Sequence, residues 1–134
     1  MGERIADVQA SLHWLREREQ KAYQLRERRR QAAVQALRAA IASVAPNYPQ
    51  VRRVFLFGSV TRPGGLSAAS DLDVAVEGTL SAEEFFAFWR DLERMVDAGP
   101  IDLVELDRRD VYFAQRIRET GELIYERETP GPQS

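Results

Sequence analysis

Residues 55–77 read FLFGSVTRPGGLSAASDLDVAVE. An apolar run stops at Gly58-Ser59. A loop rich in Gly, Pro and Ser follows, and Asp71-Leu72-Asp73 then opens a second apolar run. Side chains two apart on a strand share a face, so Asp71 and Asp73 project together while Leu72 and Val74 turn into the core. Paired carboxylates beside a core are costly, because burial and mutual repulsion both oppose ionisation. The pattern calls for a compensating charge, and hard oxygen ligands on one face suit Mg²⁺ or Mn²⁺. Asp102 begins another apolar run, IDLVELD, and joins the pair if the two strands are neighbours. Three acids on adjacent strand ends suit a two-metal phosphoryl-transfer site.

The loop between the runs supplies complementary chemistry. Gly58 leaves room for close approach, and the Ser59 hydroxyl can donate to a phosphate or cap a turn. A short helical turn beginning at Ser59 would aim backbone N–H groups at phosphate oxygens, and Arg62 adds a cation. This is not a Walker A loop, since the G-x-x-x-x-G-K-[ST] lysine is absent. Plainer readings exist for each part. Asp71 and Asp73 can cap a turn with Ser70, Arg62 can be a solvated charge, and Asp102 can be an acid that merely follows Gly-Pro.

Outward from this stretch, the pattern predicts helix, strand, loop, strand, helix, strand, helix, strand. Residues 3–45 contain neither Gly nor Pro and are rich in Ala, Arg, Gln, Glu and Leu, which is helix composition. Apolar residues recur at Ile5, Val8, Leu12 and Leu15, and again at Val34, Leu37, Ile41 and Val44, with RERRRQAA breaking the period. The break allows one long helix with a stutter or two helices meeting near Arg28 to Arg30. Pro46 and Pro49 end the helical region. Strands are predicted at VRRVFLFGS, SDLDVAVEG, IDLVELD and ELIYER. Ser81 with Glu84 predicts a capping box for a helix stopping at Gly99, and RRDVYFAQRIRETG is a short helix ending at Gly121. The expected architecture is α/β: a mixed sheet with helices packed against it, preceded by a long helical arm. The expected divisions are the arm over 1–45, the core over 46–128 and a frayed tail over 129–134.

Composition narrows the chemistry. The 134 residues are enough for one core, and the net charge of −2 does not demand nucleic acid. With no cysteine and one histidine, thiolate nucleophiles, Cys-based zinc sites and His triads are excluded. No run approaches the roughly 18 apolar residues of a membrane span, and no signal-peptide core is visible, so a cytoplasmic protein without membrane contact is expected. RERRR at 26–30 invites a nucleic-acid reading. Residues 1–32 carry eight basic and five acidic side chains, though, and mixed charge on a helix favours a solvated face. His13 reads as a helix-surface residue. Phe85, Phe86, Phe88 and Trp89 read as core. Trp14 and Tyr23 beside the apolar stripe suggest a protein interface on the arm.

The motif G-S, a loop, S-D-x-D, then an isolated Asp on a later strand resembles the DNA polymerase beta-like nucleotidyltransferases, and the short length resembles their minimal members. The match spans about residues 51–126, with FGSVTRPGGLSAASDLDVAV at its centre. The resemblance implies that Gly58 and Ser59 bind nucleotide phosphates, joined by Arg62 and Ser70. It implies that Asp71 and Asp73 hold two Mg²⁺ ions (Mn²⁺ being the substitute), and that Asp102 completes the metal site and helps activate the acceptor hydroxyl. It further implies transfer of a nucleoside monophosphate from an NTP to a hydroxyl. The minimal members are often encoded beside a small helical HEPN protein, and some act as antitoxins by adenylylating a tyrosine of that partner. This chain departs from the usual pattern at Val60, where relatives often carry Arg, at Pro63 with Gly64-Gly65 following, and in a slightly longer loop. A HEPN-type partner or self-association through the arm is therefore expected. The alternative is a non-catalytic antitoxin-like or scaffold protein that uses the same fold and arm as an interface.

Overall fold

The computed structural model describes residues 2–128. The tail expected over 129–134 lies outside them. The first element is one uninterrupted helix, α1 (Gly2–Val44), so the RERRR break does not divide it. At 1.5 Å per residue it is about 65 Å long. Its two halves differ. Every residue from Arg4 to Lys21 is exposed, whereas Ala33, Leu37, Ala40 and Ile41 are fully buried against the sheet. Helix hydrogen bonding ends before Pro46, and a tight turn over Ala45–Asn47 leads to the sheet. Arg127 pins that connection by donating from Nε to the Val51 carbonyl (3.0 Å) and from Nη2 to the carbonyls of Ala45 (3.1 Å) and Tyr48 (2.9 Å).

Four strands follow: β1 (Val51–Phe57), β2 (Leu72–Gly78), β3 (Ile101–Glu105) and β4 (Glu122–Glu126). Their order is β3-β2-β1-β4, with β1 antiparallel to β2 and β4, and β2 parallel to β3. The mixed sheet was expected, and the parallel β2–β3 pair is what the connecting helix α2 (Ala82–Met95) permits. Ser81 and Glu84 form the reciprocal capping box at its start. The helix stops at Met95 rather than at Gly99, because residues 96–100 are spent turning the chain back to the sheet. A short helix, α3 (Val111–Thr120), is capped by the Asp110 carboxylate, which accepts from the N–H groups of Tyr112 and Phe113.

Strand alternation sorts the core into two layers. Leu72, Val74 and Val76 face α1 and α2, where they meet Leu37, Ile41, Phe88 and Leu92. Phe55, Ala75 and Val104 face α3 through Ala114 and Ile117. Asp73 and Glu77, two positions either side of Ala75, therefore belong to the α3 face. Phe88 is fully buried as expected, but Phe86 is exposed and stacks on Trp89 at the surface (centroids 6.3 Å apart).

Candidate active site

Asp73 is the second residue of β2, at the mouth of the sheet. In the parallel pairing it sits directly across from Asp102, and in the antiparallel pairing across from Phe57. Adjacent strands run about 4.8 Å apart, so the two acids are nearest neighbours on one face. Asp71 precedes the strand by one residue and is exposed, as is Asp102, while Asp73 is half-buried. Burial, then the charges of Asp102 and Asp71, push the Asp73 carboxyl above its ordinary range, and Arg62 opposes them only in part. Among the described residues no group of three or more Asp, Glu, His or Cys side chains is drawn together as a metal site, so the structure brings Asp73 beside Asp102 without assembling the trio.

Gly58 ends the neighbouring strand with φ +72°, and a Cβ built there would stand 2.2 Å from Asp73 Oδ2. Only glycine satisfies both the left-handed backbone and the approach of the carboxylate. The chain then tightens into a short turn over Gly58–Thr61, closed by Thr61 Oγ1 donating to the Gly58 carbonyl (2.7 Å) and by the Arg62 N–H donating to Ser59 (3.1 Å). Ser59 is half-buried at its start, and Val60 is fully buried, which anchors the turn into the core. Ser70 closes the far end of the loop: its hydroxyl accepts from the Ser67 N–H (3.1 Å) and lies 2.9 Å from the Ser67 hydroxyl. In this arrangement Ser70 shapes the loop.

A cleft of about 350 Å³ opens beside this turn, lined by Phe57, Gly58, Arg62, Phe113, Arg116 and Thr120 among others. Phe57 and Phe113 meet edge to face (5.8 Å) at its floor. The sequence reading did not single out Phe113, Arg116 or Thr120. The helical spacing of 113, 116 and 120 marks one face of α3, but nothing local says that this face meets the turn. RERRR was read as a solvated face, and that reading fails for three of the residues in and around it. Arg26 Nε donates to the Gly64 carbonyl (2.7 Å), and the Gly64 N–H donates to Glu27 Oε1 (2.9 Å). Arg30 grips the Glu27 carboxylate with two donors (2.7 and 2.6 Å) and reaches the Val60 carbonyl (3.4 Å). Those Arg30 bonds, with the Gly64 N–H, hold the Glu27 carboxyl down at about 2. His13 is exposed as expected, 3.1 Å from Glu17.

A two-carboxylate strand mouth, a glycine turn against it and a cleft with Arg62 and Arg116 alongside lie together on the mixed sheet. Residues 39–130 match the family described as "Polymerase beta, Nucleotidyltransferase". The chain belongs to that family. Among solved structures it is similar to a toxin–antitoxin structure with AMP-PNP (23% identity, TM-score 0.56, covering 68% of this chain and 74% of that one). It is similar also to a complex of a tri-AMPylated HEPN toxin of Shewanella oneidensis with its MNT antitoxin (24%, TM-score 0.52, 69% and 72%). A putative nucleotidyltransferase from Sulfolobus solfataricus matches at 18% identity and TM-score 0.50, over 75% and 86%. At these identities the likeness is one of fold. No curated protein matches the chain. No helix among the described residues is long and apolar enough to cross a membrane.

Proposed function

We propose that this protein transfers a nucleoside monophosphate from an NTP to a hydroxyl, with Mg²⁺ held by Asp71, Asp73 and Asp102, and that its acceptor is a tyrosine of a HEPN-type partner. The observation that carries this reading is the register of Asp73 with Asp102 beside Gly58. Like charges are stacked at a strand mouth with one exposed arginine to offset them. Asp73 and Asp102 lie side by side, with Asp71 one residue before the strand, and hard carboxylate oxygens are what divalent magnesium or manganese requires. Bound there, the ions would neutralise charge on the α-phosphate and on the leaving pyrophosphate.

The protein's own groups have distinct tasks. Gly58 and Ser59 receive the phosphates through the backbone N–H groups of the turn and the Ser59 hydroxyl, with the turn closed behind them by Thr61 and Arg62. Arg62 steers and partly neutralises them from the loop. Phe57 and Phe113 give the cleft an apolar floor beside the cation Arg116. The acceptor oxygen attacks the α-phosphorus as the bond to the bridging oxygen breaks and pyrophosphate leaves. Asp102, exposed at the rim, takes the acceptor's proton. His13 and Lys21, the only His and Lys, lie on the exposed half of α1, so water protonates the leaving group. The tyrosine acceptor is supported by the neighbour that is a tri-AMPylated HEPN toxin held by an MNT antitoxin.

Calorimetric titration with ATP, GTP, CTP and UTP, each with and without Mg²⁺, tests the reading. Saturable binding that needs Mg²⁺ and disappears in Asp73→Asn is expected. Indifference of the protein to all four nucleotides at millimolar concentration overturns it.

A further inference from the structure

The free half of α1 carries a surface that nucleotide chemistry leaves unused. Ile5, Val8, Leu12 and Leu15 form a stripe whose members are 45–59% exposed, and Trp14 broadens it on one side. Most helix stability in proteins comes from packing an amphipathic face, and this stripe gains nothing until covered. With Ile5 and Leu12 at a and Val8 and Leu15 at d, the flanking e and g positions are Arg4, Gln9, Ser11, Arg16 and Arg18. Three guanidiniums flank the seam and no carboxylate does. Asp7 and Glu17 fall at c and f, away from it, and Glu17 already faces His13. Arg18 lies over the Trp14 ring (5.2 Å), so cation and apolar surface form one patch.

This charge pattern chooses the occupant. Parallel pairing of two copies sets Arg4 against Gln9 and Ser11 against Arg16, which yields no ion pair. Antiparallel pairing sets arginine flank against arginine flank, which repels. We propose that the N-terminal half of α1 docks an amphipathic helix of a different protein, with a Leu/Ile seam flanked by Glu or Asp. The inference does not depend on the nucleotide reading.

The test titrates the full chain with two synthetic heptad peptides that share a Leu/Ile seam and carry Glu or Lys at e and g. The Glu peptide is expected to bind at least about tenfold more tightly, with the gap closing as salt rises. Leu12→Asp with Leu15→Asp abolishes that binding and leaves the melting of the core unchanged. The chain alone sediments as a monomer at the same concentration. Equal affinity for both peptides, binding of neither, or a homodimer lost in Leu12→Asp overturns the proposal.

The middle of α1, between its exposed and buried halves, meets the loop that follows β1. Tyr23, Arg26, Glu27 and Arg30 lie outside residues 39–130, the part that matches the family, yet they hold the loop beside Asp73. Gly64 has φ +68°, and a Cβ there would stand 2.3 Å from Tyr23 Cε2, so a larger residue would strain the backbone and displace the Tyr23 ring. We infer that Glu27, with Arg26 and Arg30, is a positioning residue for the nucleotide loop. This rests on the nucleotidyl-transfer reading, and the test separates the two. In Glu27→Ala, hydrogen exchange is expected to quicken in residues 58–66 alone, and KM for the NTP rises roughly fivefold or more while kcat changes less. Glu27→Gln, which still accepts the Gly64 N–H, recovers part of both. A parent that binds no nucleotide overturns both readings. A parent that binds while Glu27→Ala leaves exchange or KM unchanged overturns this inference alone.

Discussion

Asp73 and Glu77 stand four residues apart on the same face of β2, and the protein treats them in opposite ways. Glu77 is only 3% exposed, and Arg53 and Arg118 both donate to it, at 2.8 and 2.6 Å. Burial pushes its carboxyl up, but the bonds from Arg118 and Arg53 outweigh burial and hold it below the ordinary range. Asp107 extends the network, 3.6 Å from Arg118, and accepts from the Gly78 N–H (3.0 Å). Asp73 is less buried, yet its neighbours on the sheet are more acids, and its carboxyl is pushed up. An acid kept for structure brings its arginines with it. Asp73 is left short of such partners, folding tolerates the deficit, and a transient cationic ligand is the compensation proposed above.

That contrast is open to measurement. Glu77→Leu should give the largest loss, roughly 2–3 kcal/mol by urea unfolding, because two guanidiniums lose their shared partner beside a buried face. They are half-exposed and reach water, which keeps the loss below that of a fully buried pair. A parent-like midpoint would show that the network is ornamental. Gly58→Ala should cost about 1–2 kcal/mol, from the left-handed backbone and the clash with Asp73, and should weaken nucleotide binding together with stability. Asp73→Asn should act in the other direction, raising the melting temperature at neutral pH by relieving repulsion.

The pH dependence separates the two acids by sign. Asp73 binds its proton more tightly folded than unfolded, so its share of stability falls as pH rises from about 3.8 through its raised value. Glu77 binds its proton less tightly folded, so its share is full above its ordinary 4.5 and is lost as pH falls below that. Stability curves of Asp73→Asn and Glu77→Gln should therefore flatten on opposite limbs. The smallest effect belongs to Glu27, whose carboxyl sits at about 2. Glu27→Gln should match the parent near pH 2 and fall slightly behind it above 4.5.

Much of this site is written locally. The alternation in Asp71-Leu72-Asp73-Val74 decides which side chains share a face, and Gly58-Ser59 marks where the preceding strand turns. Ser81 with Glu84 announces α2 because a capping box is a contact between residues three apart. The end of α2 at Met95 was not legible, since the chain's return to β3 overrides a glycine stop. The role of RERRR was hidden for a similar reason. Glu27 meets Gly64 across 37 positions, and charge composition cannot show which face of a helix will cover a loop. Phe113 and Arg116 reach the cleft through α3 packing, which no local pattern encodes.

The most direct test of the account is the melting temperature of the full chain against Mg²⁺ concentration, for the parent, Asp73→Asn and Glu77→Gln. The account predicts that Mg²⁺ stabilises the parent progressively and Glu77→Gln from a lower start. It predicts that Asp73→Asn starts above the parent and no longer responds. A parent blind to Mg²⁺, or an Asp73→Asn protein that melts below it, would contradict the claim that the strand-mouth acids are kept for a cation.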